Sequence, residues 1–118
     1  LQAPPGTAPS YLCRAWVNFN GTGTPAIQAS GNVQSITDNG VGDYTIVFTT
    51  AMPDALYGVF GCCTQVATGT SFNRSVGVYS TTVAGGPSSL TTSNVRIFTQ
   101  RSSGTSEDYG YVGVCIFR

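Results

Sequence analysis

The chain has 118 residues, a formal net charge of zero and a charged fraction of only 8%, and all five of its cations are arginine. Phosphate recognition needs clustered cations, so this balance excludes a nucleic-acid partner. No apolar run reaches the roughly 18 residues of a spanning helix, so no membrane insertion is expected, and Trp16, six Tyr and six Phe are too many aromatics for a disordered chain.

The opening Leu1-Gln2-Ala3-Pro4-Pro5-Gly6-Thr7-Ala8-Pro9-Ser10 is rich in Pro and small residues, the composition of a linker. It has neither the basic nor the apolar region of a signal peptide, and it reads as a lead from a longer chain or a processed one. Residues 11–118 then form one domain, large enough for a single core. No 3.6-residue apolar period is sustained over ten residues; strand signals recur instead about every dozen residues.

The first strand covers Leu12 to Phe19, with Cys13, Ala15, Val17 and Phe19 on one face and Leu12, Arg14, Trp16 and Asn18 on the other. Asn20-Gly21-Thr22-Gly23-Thr24-Pro25 is a loop, and a weak strand signal surrounds Ile27. Strands follow near 33–37 and 43–50, and the Asn39-Gly40 pair between them predicts a type I′ hairpin turn. In the second of these strands Tyr44, Ile46 and Phe48 share the core face, and Thr45, Val47 and Thr49 the other. The turn Met52-Pro53-Asp54 leads to a strand near 56–63, and further strands lie near 72–81, 93–100 and 109–117. Seven to eight short strands with Gly, Ser and Thr between them predict an all-β domain, an antiparallel sandwich or a barrel-like relative.

The last strand is apolar on both faces: Tyr109, Tyr111, Cys115 and Phe117 on one, Val112, Val114 and Ile116 on the other. Such a strand has to be covered twice. A small two-layer domain covers one face itself, so the second is expected to meet another subunit. Trp16 in Arg14-x-Trp16-x-Asn18 either closes the sandwich at its edge or serves the same contact, for which Trp and Arg are favoured. The expected oligomer contacts are therefore Arg14, Trp16, Tyr111 and Phe117.

All four cysteines, Cys13, Cys62, Cys63 and Cys115, fall inside predicted strands. Free thiols acting as small core hydrophobes are one reading, and a Cys13–Cys115 bridge between the first and last strands is the other. A zinc site is not expected, because there is no C-x₂-C pair and no histidine.

The absence of His and Lys removes Ser-His-Asp, Cys-His and Schiff-base chemistry. Five carboxylates remain, and Asp38, Asp43 and Asp54 sit in turns where Asp serves local hydrogen bonding. Asp38-x-Gly40-x-x-Asp43 has too few oxygen ligands for a calcium loop. Glu107 and Asp108 lie in a solvated loop by composition. No catalytic, cofactor-binding or metal-binding residue is expected. Asn20-Gly21-Thr22 and Asn73-Arg74-Ser75 match the glycosylation sequon at a frequency chance explains in so Asn/Ser/Thr-rich a chain. Binding surface is sought instead in the hydroxyl-rich segments 20–31, 64–71, 82–93 and 101–108, adaptable loops beside rigid aromatics. The candidate receptor-facing residues are Thr68, Thr70, Ser71, Ser103, Thr105, Glu107, Asp108 and Tyr109.

Three stretches also carry a family resemblance. Cys13-Arg14-Ala15-Trp16-Val17-Asn18-Phe19-Asn20-Gly21-Thr22-Gly23, the hairpin from Val33 to Thr50, and Ala51-Met52-Pro53-Asp54-Ala55 together resemble a C-terminal module of tail-fibre and other virion structural proteins of tailed bacteriophages. The likeness runs from about Cys13 to Tyr57, under half of the chain, and returns faintly in the closing strand. After Leu56 the wording is individual, as in Gly61-Cys62-Cys63-Thr64. The resemblance implies a virion protein assembled in the host cytoplasm. It implies a homotrimer in contact with other virion proteins, displaying loops to a host-surface glycan or protein. Three alternatives stand beside it: a capsid-decorating or tail accessory module, a carbohydrate-binding module of a secreted bacterial protein, and a glycan-degrading spike. The second of these calls for a monomer with a row of exposed aromatics on one face.

Overall fold

The computed structural model describes residues 5–64, 74–79 and 89–118. Among these are eight strands and no helix: β1 Cys13–Asn20, β2 Ala26–Gly31, β3 Val33–Gly40, β4 Asp43–Phe48, β5 Gly58–Thr64, β6 Arg74–Val78, β7 Asn94–Arg101 and β8 Tyr111–Phe117. They form two four-stranded antiparallel sheets, ordered β2-β1-β8-β5 and β3-β4-β7-β6. The weak signal at Ile27 is a full strand at the edge of the first sheet.

Side-chain alternation explains the layering. Ala15, Val17 and Phe19 of β1 and Val112, Val114 and Ile116 of β8 turn inward from the first sheet. Tyr44, Ile46 and Phe48 of β4 and Val95, Ile97 and Thr99 of β7 meet them from the second. Phe19 packs edge-on to Tyr44 across the two layers, with ring centroids 5.1 Å apart. Phe48 does the same with Tyr57 at 5.8 Å. Offsets of this kind add roughly 0.5–1.5 kcal/mol per pair beyond the area they bury.

Asn32 makes the corner where the chain leaves the first sheet for the second. It is the one described non-glycine residue at positive φ, 56°, a conformation Asn tolerates better than most side chains. Its amide accepts from the Thr50 N–H and donates to the Arg14 and Thr50 carbonyls. β4 accordingly ends at Phe48 rather than continuing to Thr50.

The hairpin turn is displaced from its expected place. Gly40 pairs with Asp43, so the two-residue loop is Val41-Gly42, and the ladder slips between Asp38 and Gly40. Gly42 is at φ 64° and Val41 is not at positive φ, the pattern of a type II turn, not of type I′. The reason is tertiary. The Gly42 carbonyl accepts from Thr99 N–H, its N–H donates to Asp108 Oδ1, and a side chain at position 42 would collide with the backbone of Thr99 and Glu107.

The two readings of the cysteines resolve in favour of free thiols. Cys13 faces Phe117 in the ladder and Cys115 faces Trp16, so the Cys13–Cys115 bridge is not formed. Only Cys63 enters the core; Cys13 and Cys62 are exposed and Cys115 is half-buried. Cys13 leaves its expected inward face because the β1 ladder slips between Cys13 and Ala15. Tyr109 precedes β8 instead of belonging to it, and it is fully buried.

The ends of the domain differ. At one end lie residues 21–25, the Val41-Gly42 turn, residues 102–110, and Thr64 and Arg74, which flank segment 65–73. At the other, the lead enters β1 beside the last residues of β8, where Cys13 pairs with Phe117.

Candidate functional site

The outward face of the first sheet is where side-chain alternation leaves apolar groups uncovered. Ladder register places Gly31, Trp16, Cys115 and Phe60 in one row across all four strands. The next row along is Ala29, Asn18, Gly113 and Cys62. Trp16 lies against Gly31, whose missing side chain makes room for the indole. Tyr111 lies along Gly113 in the same way, its hydroxyl 3.0 Å from where a Cβ would sit. An aromatic ring covering a glycine within a sheet shields the backbone that glycine exposes. Both rings therefore lie along the sheet.

Phe60 is 60% exposed and meets Phe117 edge-on at 5.9 Å. It divides two shallow clefts. One, of about 530 Å³, is lined by Tyr11, Leu56, Phe60, Phe117 and Arg118. The other, of about 540 Å³, lies between Phe60, Trp16, Tyr111 and Cys115. No charged side chain interrupts the rows; Arg118 at the border is held by Asp54 through two hydrogen bonds of 2.8 and 2.7 Å.

Three of the four expected contact residues, Trp16, Tyr111 and Phe117, thus share one face. Arg14 lies at its margin, where Nε donates to the Arg118 carbonyl. Phe60, Leu56 and Tyr11 were not among the expected contacts, although all three are more exposed than Trp16. The alternation of Phe60 with Cys62 was readable, but nothing in the sequence told that β5 would pair with β8.

The loop candidates divide. Thr68, Thr70 and Ser71 lie outside the described residues. Ser103 and Thr105 are exposed, and they close a tight turn in which Arg101 N–H donates to the Thr105 carbonyl. Glu107, Asp108 and Tyr109 are not solvated loop residues. Tyr109 is fully buried and donates to Glu107 Oε2, 2.9 Å away, while Glu107 Oε1 pairs with Arg101. Asp108 Oδ1 accepts from Gly42 N–H at 2.8 Å and from the buried Tyr44 hydroxyl at 2.6 Å. Burial, and after it the Asp108 carboxylate, push the Tyr44 phenol up, so it stays a donor. These residues lock residues 101–109 onto the hairpin. Composition marks them as loop, but the partners of Asp108 are 66 and 64 residues away in the chain and leave no local signal.

Charge elsewhere is paired locally. Asp43 accepts two hydrogen bonds from Arg96, 2.9 and 2.6 Å long, and its carboxyl is held below the usual range by that bond. Asp54 is lowered to about 2, chiefly by its hydrogen bond from Arg118. Burial, with Cys62 adding to it, pushes the Cys63 thiol up to about 11. Among the described residues no three His, Cys, Asp or Glu side chains converge on a point where a metal ion could sit, and no helix is long and apolar enough to cross a membrane.

The chain matches no protein-family model, no curated protein and no solved structure. The residues and their geometry carry the functional argument.

Proposed function

We propose that this chain is the terminal β-domain of a tail fibre or related appendage of a tailed bacteriophage. It assembles as a homotrimer through the outward face of its first sheet and holds its loop-bearing end to the host surface. The observation that carries the reading is the uncharged aromatic face made by Trp16, Phe60, Tyr111 and Phe117. Covering it stabilises an assembly by roughly 25 cal/mol per Å² of apolar area, before association costs. The two ends support the same reading. The Pro-rich lead enters opposite residues 21–25 and 102–110, as a module hung from a stalk requires. Attachment is non-covalent, and three copies acting together make weak single sites sufficient.

Light scattering coupled to size exclusion tests this. Three chains of 12.3 kDa give about 37 kDa, and Phe60→Ser is expected to lower that mass to one chain's without unfolding the domain. A monomer at all concentrations refutes the assembly.

The flat rings of Trp16 and Tyr111 favour a second reading, a carbohydrate-binding module whose sheet face stacks on neutral sugars. That reading requires a monomer and a loss of oligosaccharide binding in Trp16→Ala.

A further inference from the structure

Two Asn-Gly pairs occur in the chain, Asn20-Gly21 and Asn39-Gly40. An asparagine before glycine can lose its side-chain amide with no enzyme present. The backbone nitrogen of the next residue attacks the side-chain carbonyl carbon, and glycine leaves that approach open because it has no Cβ. The reaction needs a backbone nitrogen that can leave its hydrogen bond and a side chain that can swing over it.

The fold gives the two pairs opposite settings. Gly21 is buried and held on both sides. Its N–H donates to the Tyr109 carbonyl at 2.8 Å, and its own carbonyl accepts from the Tyr44 hydroxyl at 2.9 Å. The Asn20 side chain is engaged as well, because Oδ1 accepts from the Thr22 N–H and hydroxyl at 2.9 and 2.6 Å. Reaction at Asn20 therefore waits on an opening of the core's edge, a costly event. Asn39 and Gly40 are exposed. The ladder passes from the pair Asp38 and Tyr44 to the pair Gly40 and Asp43, so Asn39 is the extra, unpaired residue of a bulge. Gly40 belongs to the last pair of that ladder, the end that opens at least cost. Its N–H donates to Asp38 Oδ1 at 3.0 Å, a bond between exposed groups. The Asn39 amide is tethered only at the surface, by Thr45 Oγ1 at 2.8 Å and Asp43 Oδ1 at 3.4 Å. The ties that hold Gly42 lie past these two residues.

We propose that Asn39 is a self-modification site, at which the folded chain converts its own amide to a carboxylate, and that Asn20 is protected. Hydroxide takes the Gly40 N–H proton, and a bond forms from the Gly40 nitrogen to Asn39 Cγ. The bond from Cγ to Nδ2 breaks, and ammonia leaves with a proton from water. Water then adds to either carbonyl of the cyclic imide and breaks one of its C–N bonds, which leaves aspartate or isoaspartate. One water is consumed and one ammonia released, and nothing is oxidised or reduced. A donor to Asp43 is thereby replaced by a charge of the same sign as Asp43. Each chain goes from a net charge of zero to one negative charge, placed beside the Val41-Gly42 turn at the loop-bearing end. The change runs one way, so that end becomes more acidic as the protein ages. It lies on the second sheet and does not depend on how copies assemble.

The test holds the purified chain in mildly alkaline buffer, folded and in denaturant, and maps its peptides by mass spectrometry at intervals. In the folded chain Asn39 should convert at least about tenfold faster than Asn20, the ratio set by an extra opening cost of roughly 1.4 kcal/mol. In denaturant the two rates should converge. Anion exchange should resolve the aged, folded protein into an original and a more acidic form, and Asn39→Gln should abolish the acidic one. An Asn39 still intact in the folded chain when the denatured chain has converted overturns the proposal. Equal conversion of Asn20 and Asn39 in the folded chain overturns it too. So does a difference that persists in denaturant, because its cause would then be local sequence and not the fold.

Discussion

Replacing Asp108 by Ala separates a structural tie from a receptor-facing loop. Oδ1 of Asp108 accepts two hydrogen bonds, from Gly42 N–H at 2.8 Å and from the Tyr44 hydroxyl at 2.6 Å, and both donors are buried. Each bond to an ionised acceptor contributes about 1.5–3 kcal/mol, and a donor stranded in the interior costs about 1–3 kcal/mol. The losses are not equal at the two donors. Tyr44 retains the Gly21 carbonyl, 2.9 Å from its oxygen, as a second acceptor. Gly42 N–H has no such alternative among the described contacts.

Asp108→Ala should therefore cost about 2–4 kcal/mol, most of it at Gly42. In a domain of this size that lowers the thermal midpoint by on the order of 10 °C. Asp108→Asn keeps an acceptor oxygen and should lose less than half as much. The assay is urea unfolding followed by circular dichroism, at one fixed protein concentration because assembly shifts apparent stability. Tyr44→Phe completes a double-mutant cycle, with an expected coupling of about 1–2 kcal/mol. A cost under about 0.5 kcal/mol for Asp108→Ala, the size of an ordinary surface change, together with no coupling, would refute the tie. It would return Asp108 to the solvated loop its neighbours suggest.

Three more outcomes follow from the same structure. Gly42→Ala should destabilise by at least about 1 kcal/mol because it meets the Thr99 and Glu107 backbone at positive φ. Asn39→Ala should cost less, the reverse of what a type I′ turn at Asn39-Gly40 requires; the same unfolding assay ranks them. The Asp43 carboxyl is depressed by the Arg96 hydrogen bond, so its contribution is present above the unfolded value of about 3.9 and disappears as pH falls through the lower folded value. Asp43→Asn should thus lose about 1 kcal/mol at pH 7 and show a flatter acid limb in a series of thermal melts. In the Phe60→Ser monomer a colorimetric thiol reagent should meet Cys13 and Cys62 first, Cys115 later and Cys63 only on unfolding, since burial pushes the Cys63 thiol up to about 11. In the trimer Cys62 and Cys115 lie on the covered face and should be protected. A Cys63 that reacts as fast as Cys62 in the folded protein would contradict its placement in the core.

Local alternation carried most of this fold, and long-range pairing carried the rest. Ala15, Val17 and Phe19, then Tyr44, Ile46 and Phe48, then Val112, Val114 and Ile116 turn inward as their parity requires, because a strand's two faces are set by its own sequence. The hairpin turn was misplaced by two residues because Asn39-Gly40 is the better local turn pair, while Thr99 and Asp108 hold the chain at Gly42. The same distinction governs the candidate site. Trp16, Tyr111 and Phe117 could be selected singly, as large side chains on faces that ought to be polar or covered. That they lie together, with Phe60 completing the row, depends on β8 pairing with both β1 and β5, and no short-range signal encodes that. Glu107 and Asp108 err in the opposite direction. Two acids amid Ser, Gly and Thr look solvated until buried phenols and a tight turn are found to need them. Apolar parity therefore identifies surfaces well in a chain with 8% charged residues, where each uncovered ring stands out. Polar roles are less legible, because a carboxylate's partner sits wherever the topology brings it.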